Sequence, residues 1–292
     1  MINNTNPIQS HLDDLLLRLN MLNGLVFHLE SYLKNLHGLL KQAVAKSNID
    51  PSLIFAGTSL AIRDLTEWPE NNWAVYYPSG KFFSQGEEEY LRRGNDLLCR
   101  EVTWTISQAY EAFETFLKDI TATYVFIRKD QADTKKLANL DPRLRRELLE
   151  PTDVEYWKEF IRKAYPKNVD LFKFLRKIAP EIEEVEKQNN RNINLTEWYI
   201  VVTEVRHAAT HSNMLIRSKR MRSWSQERHK LLNRFFPGSD TTGDYILNLN
   251  MKDAETNLVL FAEYAFGVFK CLSKLQHYEW NILRKQHKGD TA

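Results

Sequence analysis

Cysteine is scarce in this 292-residue chain, and its scarcity excludes two classes of protein. The two cysteines, Cys99 and Cys271, are too few for a disulfide framework or for a zinc ribbon. Both lie within apolar periodic segments, where a free thiol behaves as a small hydrophobic side chain. We therefore expect reduced thiols and a cytoplasmic location.

The sequence also lacks long apolar runs and an excess of one charge. Charged or amide side chains interrupt every apolar run before the roughly 20 residues that span a membrane, and the first residues lack the pattern of a signal peptide. Lysine and arginine total 40 against 38 acidic residues, which gives a formal net charge of +2. We expect no membrane partner, and affinity for nucleic acid requires local clusters of charge.

Several motifs that bind nucleotides or activate a nucleophile are missing as well. The chain has no phosphate-binding glycine loop, no GxSxG elbow and no dinucleotide fingerprint. It also shows no internal repeat of solenoid period. We therefore predict no cofactor.

Helical periodicity is the dominant pattern that the chain does contain, and it is strongest in residues 1–47. Apolar side chains recur there at alternating spacings of four and three, the heptad pattern of helices that wrap around one another. The seam consists of Ile8, Leu12, Leu15, Leu19, Leu22, Val26, Leu29, Leu33, Leu36, Leu40 and Ala43. Five further apolar residues widen the stripe and predict contacts with more than one neighbour: Leu16, Leu25, Phe27, Tyr32 and Leu39. Packing within the chain and an intermolecular coiled coil both fit this pattern.

Three further regions complete the predicted organisation. Residues 48–86 are rich in proline, glycine and aromatic residues, which predicts an irregular excursion with a small hairpin. Residues 87–280 return to helical periodicity, with a polar connection at 128–142, and residues 281–292 form a polar tail. The predicted fold class is all-α: a helical bundle with a long N-terminal heptad helix and extended loops.

The most informative residues for function follow Asn194, which with Glu197 has the spacing of a helix cap. In the run EVRHAATHSN, His207 and His211 share one helical face, and Arg206 lies about 140° around the axis from His211, an angle that an arginine side chain can bridge. Arginine binds phosphate with a permanent charge, and histidine exchanges protons near neutral pH. Metal-free RNA cleavage needs both functions: proton transfer at the 2′-OH and the leaving 5′-oxygen, and a cation beside the phosphate.

The run RHAATH at 206–211 resembles the signature of the HEPN superfamily, an arginine followed by four to six residues and a histidine. Members of that family are helical bundles that carry the motif on a late helix, with a polar residue after the arginine. The resemblance implies a metal-independent endoribonuclease of a toxin–antitoxin, phage-defence or RNA-processing system. It implies that Arg206 contacts phosphate, that His211 transfers protons and that His207 assists. It also implies a homodimer with a composite active site, and an antitoxin or other protein partner.

A basic segment, residues 217–236, follows the motif. Its cations stand against the single acid Glu227, which predicts contacts with RNA phosphates, and Trp224 suits stacking on an unpaired base. The predicted RNA-binding residues are Arg217, Lys219, Arg220, Arg222, Trp224, Arg228 and Lys230. The alternative for this segment is a solvated helix face whose apolar residues point inward.

Three alternatives concern the protein as a whole. His207 and His211 also have a spacing that suits zinc, with Glu204 as a third ligand; because Ala208 replaces the glutamate of the zincin pattern, we predict no metal. A non-catalytic helical module that binds nucleic acid or a protein is the alternative function. The heptad helix is an alternative dimerisation device.

Overall fold

A computed structural model of the chain describes residues 6–46, 54–55, 84–85, 87–130, 134–147 and 153–281. Its helices are α1 (Gln9–Lys46), α2 (Glu87–Asp130), α3 (Thr134–Leu140), α4 (Leu144–Glu147), α5 (Val154–Ala164), α6 (Asn168–Ile178), α7 (Glu181–Lys187), α8 (Leu195–His211), α9 (Ser218–Met221), α10 (Gln226–Phe235) and α11 (Met251–Leu275). Its strands are β1 (Ile54–Phe55), β2 (Ser84–Gln85), β3 (Leu215–Ile216), β4 (Gly238–Thr241) and β5 (Asp244–Leu247). The all-α prediction is confirmed.

The described residues divide into two compact units whose boundaries lie inside helices. One unit contains the residues up to Val26 and those from Arg100 onward, and the other contains Phe27–Cys99. The predicted boundaries at 47/48 and 86/87 follow changes of composition, whereas α1 and α2 each run through a boundary of the compact units. Apart from the antiparallel pair β1–β2, the excursion predicted at 48–86 lies outside the described residues, as does the predicted tail beyond 281.

Aromatic side chains from several helices form the core of the first unit. The Phe113 ring of α2 lies 5.4 Å from Phe261 and 5.2 Å from Tyr264, both in α11. The Trp198 ring of α8 meets Phe261 edge-on at 4.8 Å, and its indole N–H donates to Asn257 Oδ1 at 3.1 Å. Such pairs add to the burial of apolar area, and the indole hydrogen bond satisfies a buried donor. They fix α8, which carries the predicted site, against α11.

The heptad seam of α1 is buried in the first unit and half-buried in the second. Leu12, Leu15, Leu19 and Val26 are buried, whereas Leu29, Leu33, Leu36 and Leu40 keep part of their surface in solvent. The prediction that the widening residues contact further neighbours fails at four of the five positions. Leu25, Phe27, Tyr32 and Leu39 are 54%, 53%, 61% and 63% exposed, because the packing of α1 covers one stripe and leaves these positions outside it, whereas Leu16 is half-buried.

The prediction of a polar connection at 128–142 is also wrong. The α2 helix continues to Asp130, and α3 occupies much of the remainder. Leu137, the buried side chain of α3, is one apolar anchor in a polar segment, too sparse a pattern to predict a helix. Asp141 then ends the segment with hydrogen bonds from the Arg143 backbone N–H at 2.9 Å and the Tyr165 hydroxyl at 2.8 Å.

A small antiparallel sheet carries the chain from α8 to α11, with strand order β3-β5-β4. Tyr245 and Leu247, which the sequence places on one face of a strand, are both buried. The Tyr245 hydroxyl donates to the Phe236 carbonyl at 3.1 Å and so ties the sheet to the end of α10. Cys99 and Cys271 are both buried, as expected for small hydrophobic side chains. No helix of the described part of the chain combines the length and the apolar character needed to cross a membrane.

Gly267 of α11 allows a close approach of α7. A Cβ at this position would lie 2.6 Å from Cγ1 of Val185, a side chain that is stiff because it branches at Cβ. We expect Gly267→Ala to lower the free energy of unfolding by about 1–3 kcal/mol, although alanine favours a helix by about 1 kcal/mol over glycine. Urea unfolding measures the change.

Gly24 of α1 provides the matched control, because a Cβ there would meet nothing within 4 Å. Gly24→Ala should raise the free energy of unfolding by up to about 1 kcal/mol. If Gly267→Ala raised the free energy of unfolding as much as Gly24→Ala, the contact with Val185 would not constrain α11.

Candidate functional site

The α8 helix begins and ends at residues that define the predicted site. At its start, Asn194 Oδ1 accepts a hydrogen bond from the Glu197 backbone N–H at 3.2 Å, which confirms the predicted cap. At its end, the backbone N–H groups of Ser212 and Met214 both donate to the Ala208 carbonyl, at 3.2 and 3.0 Å. Met214 has a φ of +71°, in the left-handed region that non-glycine residues rarely adopt. This change of backbone direction ends α8, so that His211 is the last residue of the helix.

One face of α8 is buried in the core of the first unit. It consists of Leu195, Trp198, Tyr199, Val201, Val202, Val205 and Ala208. Because this face packs inward, the motif side chains lie on the remaining surface of the helix.

The guanidinium of Arg206 is held by α2. Its Nη2 donates to Glu111 Oε1 at 3.0 Å, and its Cζ lies 5.4 Å from the centre of the Tyr110 ring. Tyr110 is itself fixed, since its ring stacks on Tyr199 at 5.0 Å and its hydroxyl accepts a hydrogen bond from Asn168. The sequence predicted that the Arg206 side chain reaches around the helix toward His211. In the structure it forms an ion pair with Glu111 instead, because this carboxylate of α2 lies on the side to which Arg206 points.

His207 and His211 are neighbours, as their spacing predicts. Their ring centres lie 5.0 Å apart with an angle of 49° between the ring planes. His211 is exposed, and His207 is partly covered. Two imidazoles at this separation on an accessible surface can reach the same ligand, one accepting and the other donating a proton.

Cations surround the histidine pair. Arg220 of α9 donates to Glu204 Oε2 at 2.6 Å, and Glu204 lies one turn before His207 on α8. Partial burial lowers the pKa of His207 below its ordinary 6.5, and the nearby charges of Arg220, His211 and Arg206 lower it further, against an opposing effect of Glu204. The direction of this shift favours the neutral imidazole of His207. Because the unfolded chain binds this proton more tightly, the shift lowers the stability of the fold when the pH falls below about 6.5.

Removal of the Arg220 charge should raise the pKa of His207. We expect the imidazole of the Arg220→Gln variant to titrate at a higher pH than in the wild type, because a cation is lost and the Glu204 carboxylate is freed. Nuclear magnetic resonance titration of the His207 ring protons measures the shift. Arg234→Gln is the control, since Arg234 is not among the groups that shift this pKa; an equal response to both substitutions would exclude a local effect of Arg220.

Glutamates at heptad spacing on α8 bind two arginines of the basic segment. Glu197, Glu204 and His211 follow one another at intervals of seven residues and so lie along one stripe of the helix. Arg228 of α10 forms an ion pair with Glu197, as Arg220 does with Glu204. These pairs align α9 and α10 along the stripe that leads to His211.

The other predicted RNA-binding residues remain on the surface. Among the described residues, the exposed cations Arg217, Lys219, Arg222 and Lys230 have no ion-pair partner. Trp224 is half-buried, with its ring 5.7 Å from that of His229, whereas Leu231, Leu232 and Phe235 point inward as the alternative requires. The segment therefore has an apolar inner face and a cationic outer face.

A metal site at the histidine pair lacks a third ligand. In the described part of the chain, no three histidine, cysteine, aspartate or glutamate side chains are arranged to hold a metal ion. Glu204, the third ligand considered from the sequence, is engaged by Arg220.

Sequence reasoning missed the acidic partners of the site. Glu111 precedes Arg206 by 95 positions, so no local pattern connects them. The sequence does show the heptad spacing of Glu197, Glu204 and His211. It does not show which arginines pair with the two glutamates, because that depends on how α9 and α10 pack beside α8. The chain matches no protein-family model, and neither curated proteins nor solved structures provide a match.

Proposed function

We propose that the protein is a HEPN-type endoribonuclease that cleaves RNA without a metal ion. The adjacent imidazoles of His207 and His211, 5.0 Å apart at the end of α8, carry the proposal. Support comes from the exposed cations of the following segment, Arg217, Lys219, Arg222 and Lys230, which suit a phosphate backbone.

The proposed reaction transfers two protons and makes one new bond to phosphorus. An imidazole removes the proton of the ribose 2′-OH, and the 2′-oxygen attacks the adjacent phosphorus. The bond from phosphorus to the 5′-oxygen breaks, and the leaving oxygen takes the proton of the imidazolium that the first step formed. The products are a 2′,3′-cyclic phosphate and a 5′-hydroxyl. His211 is the proton-transfer residue, and His207, whose lowered pKa favours its neutral form, assists it as a polar partner.

A second subunit completes the site in this proposal. Within one chain the Arg206 guanidinium faces Glu111 and Tyr110, so one helix end presents two imidazoles and few phosphate ligands. A two-fold axis that brings two motifs into one cleft supplies Arg206 of one subunit to the histidines of the other. We place this homodimer in the cytoplasm, as a toxin or phage-defence effector with an antitoxin or another protein as its regulator.

The direct test is incubation of the wild type and of His211→Ala with a mixed RNA pool in excess EDTA, followed by mapping of the new ends. We expect cyclic phosphates and 5′-hydroxyls with the wild type alone. Equal cutting by both proteins, or cuts that leave other ends, would reject this mechanism.

A second candidate is a non-catalytic module that binds RNA. The observation that favours it is the double anchoring of Arg206 by Glu111 and Tyr110, since these are the contacts of a structural side chain. Equal RNA binding by the wild type and His211→Ala, with cleavage by neither, would identify this function.

A further inference from the structure

A cavity lies between α10 and the turn that precedes α8, away from the motif. Its volume is about 420 Å³, and Asn192, Asn194, Gln226, Glu227, Lys230 and Arg234 line it. Lys230 and Arg234 are exposed and form no ion pair among the described residues, so the cavity presents two cations against one carboxylate. This excess of positive charge favours an anionic ligand.

The lining also indicates the chemical class of that ligand. Leu231 is 5% exposed, and the other lining residues carry amide or charged groups. Cations bind phosphate, and amides bind ribose hydroxyls and base edges. Asn192, which adopts a φ of +52°, contributes one of these amides at the turn.

The cavity and the histidine pair lie toward opposite ends of α8. Asn194 precedes Arg206 by 12 residues and His211 by 17, which corresponds to about 18–26 Å along a helix. The ion pairs Glu197–Arg228 and Glu204–Arg220 occur along the same stripe of α8, between the two sites. At about 3.4 Å per stacked nucleotide, this distance corresponds to roughly five to eight nucleotides.

We infer that this cavity is a distal RNA subsite, in which Lys230 and Arg234 hold backbone phosphates about five to eight nucleotides from the scissile bond. The inference rests on the proposed function for the position of the cut, but binding in the cavity is measurable without cleavage. It makes the length of the RNA a determinant of affinity.

The test uses the full chain with the His211→Ala substitution, so that RNA is bound without being cut. The double variant Lys230→Ala/Arg234→Ala is compared with Lys163→Ala/Lys173→Ala, which removes two exposed cations from α5 and α6, helices that do not line the cavity. Fluorescence anisotropy with single-stranded RNA of 4 and 14 nucleotides gives Kd over a range of salt concentrations.

For the 14-nucleotide RNA, loss of two phosphate contacts should flatten the slope of log affinity against log salt by about 1.4, with a loss of affinity on the order of tenfold at low salt. The loss should be smaller for the 4-nucleotide RNA, which is too short to occupy both sites. The control variant should retain the wild-type slope. Equal slopes for the two double variants would overturn the subsite, and equal losses for both RNA lengths would overturn its distal position.

Failure of this inference is distinguishable from failure of the proposed function. If His211-intact protein cuts RNA while the cavity variant keeps the control slope, the subsite is rejected and the nuclease stands. If His211-intact protein binds but does not cut, and the cavity variant loses affinity as expected, the cavity stands as an RNA-binding site and the nuclease is rejected.

Discussion

Arg206→Ala and His211→Ala are each expected to lower the rate of RNA cleavage by about 10²- to 10⁴-fold. In the proposed mechanism, His211 is the general acid–base group and Arg206 supplies the charge that stabilises the phosphate in the transition state, so either substitution would remove one of these contributions. His211 is exposed at the end of α8, so its replacement should leave the unfolding transition unchanged. Single-turnover cleavage of a labelled RNA in EDTA measures both rates.

Heterodimers of the two inactive subunits test whether the site is composite. If Arg206 acts on the histidines of the other subunit, a dimer of Arg206→Ala with His211→Ala retains one intact site and about half of the wild-type activity. A dimer of the wild type with the doubly substituted subunit is the matched control, and it retains no intact site. Two different affinity tags and sequential purification isolate each heterodimer.

The opposite pattern would reject the composite site. Activity in the dimer that contains a wild-type subunit, with none in the dimer of the two single variants, would place Arg206 and His211 in one subunit. His28→Ala serves as the control for loss of an exposed histidine, because His28 lies in the other compact unit; a rate loss equal to that of His211→Ala would exclude a specific role for His211.

Among the proposed substitutions, Glu186→Ala is expected to lower the free energy of unfolding most, by about 3–5 kcal/mol. Glu186 is fully buried in α7, where Oε2 accepts a hydrogen bond from Arg176 Nε at 2.7 Å and Oε1 accepts one from the Tyr264 hydroxyl. Arg176 also donates to Thr196 Oγ1 of α8 at 2.9 Å. Replacement by alanine leaves a buried hydroxyl without its acceptor and a half-buried guanidinium without its carboxylate, with Thr196 as its remaining acceptor, and the loss of such partners is costly.

Chemical unfolding of two further variants separates this network from general effects of charge. Glu184→Ala removes an exposed carboxylate from the same helix and should change the free energy of unfolding by less than about 0.5 kcal/mol. Glu186→Gln keeps an acceptor of similar shape and should fall between the two. If the free energy of unfolding is the same for Glu186→Ala and Glu184→Ala, the buried network does not stabilise the fold.

Local features of the fold and the site followed from the sequence. Asn194 caps α8 as predicted, because a cap involves residues three positions apart. The adjacency of His207 and His211 followed as well, since four residues make about one turn of any α-helix. The buried seam from Leu12 to Val26 was visible because burial of one helix face imposes a period on the chain.

Other features were decided by the tertiary structure. The exposure of Tyr32 and Leu39 depends on how many elements cover α1. The sequence shows only which apolar residues share a face of this helix. The ion pairs of Arg206 with Glu111 and of Arg220 with Glu204 connect different helices, so they exist only because those helices pack side by side. Helical periodicity thus determined which residues share a face, while the packing of α2, α9 and α10 around α8 decided which charges surround the histidine pair, because contacts between elements are set by three-dimensional proximity and leave no period in the chain.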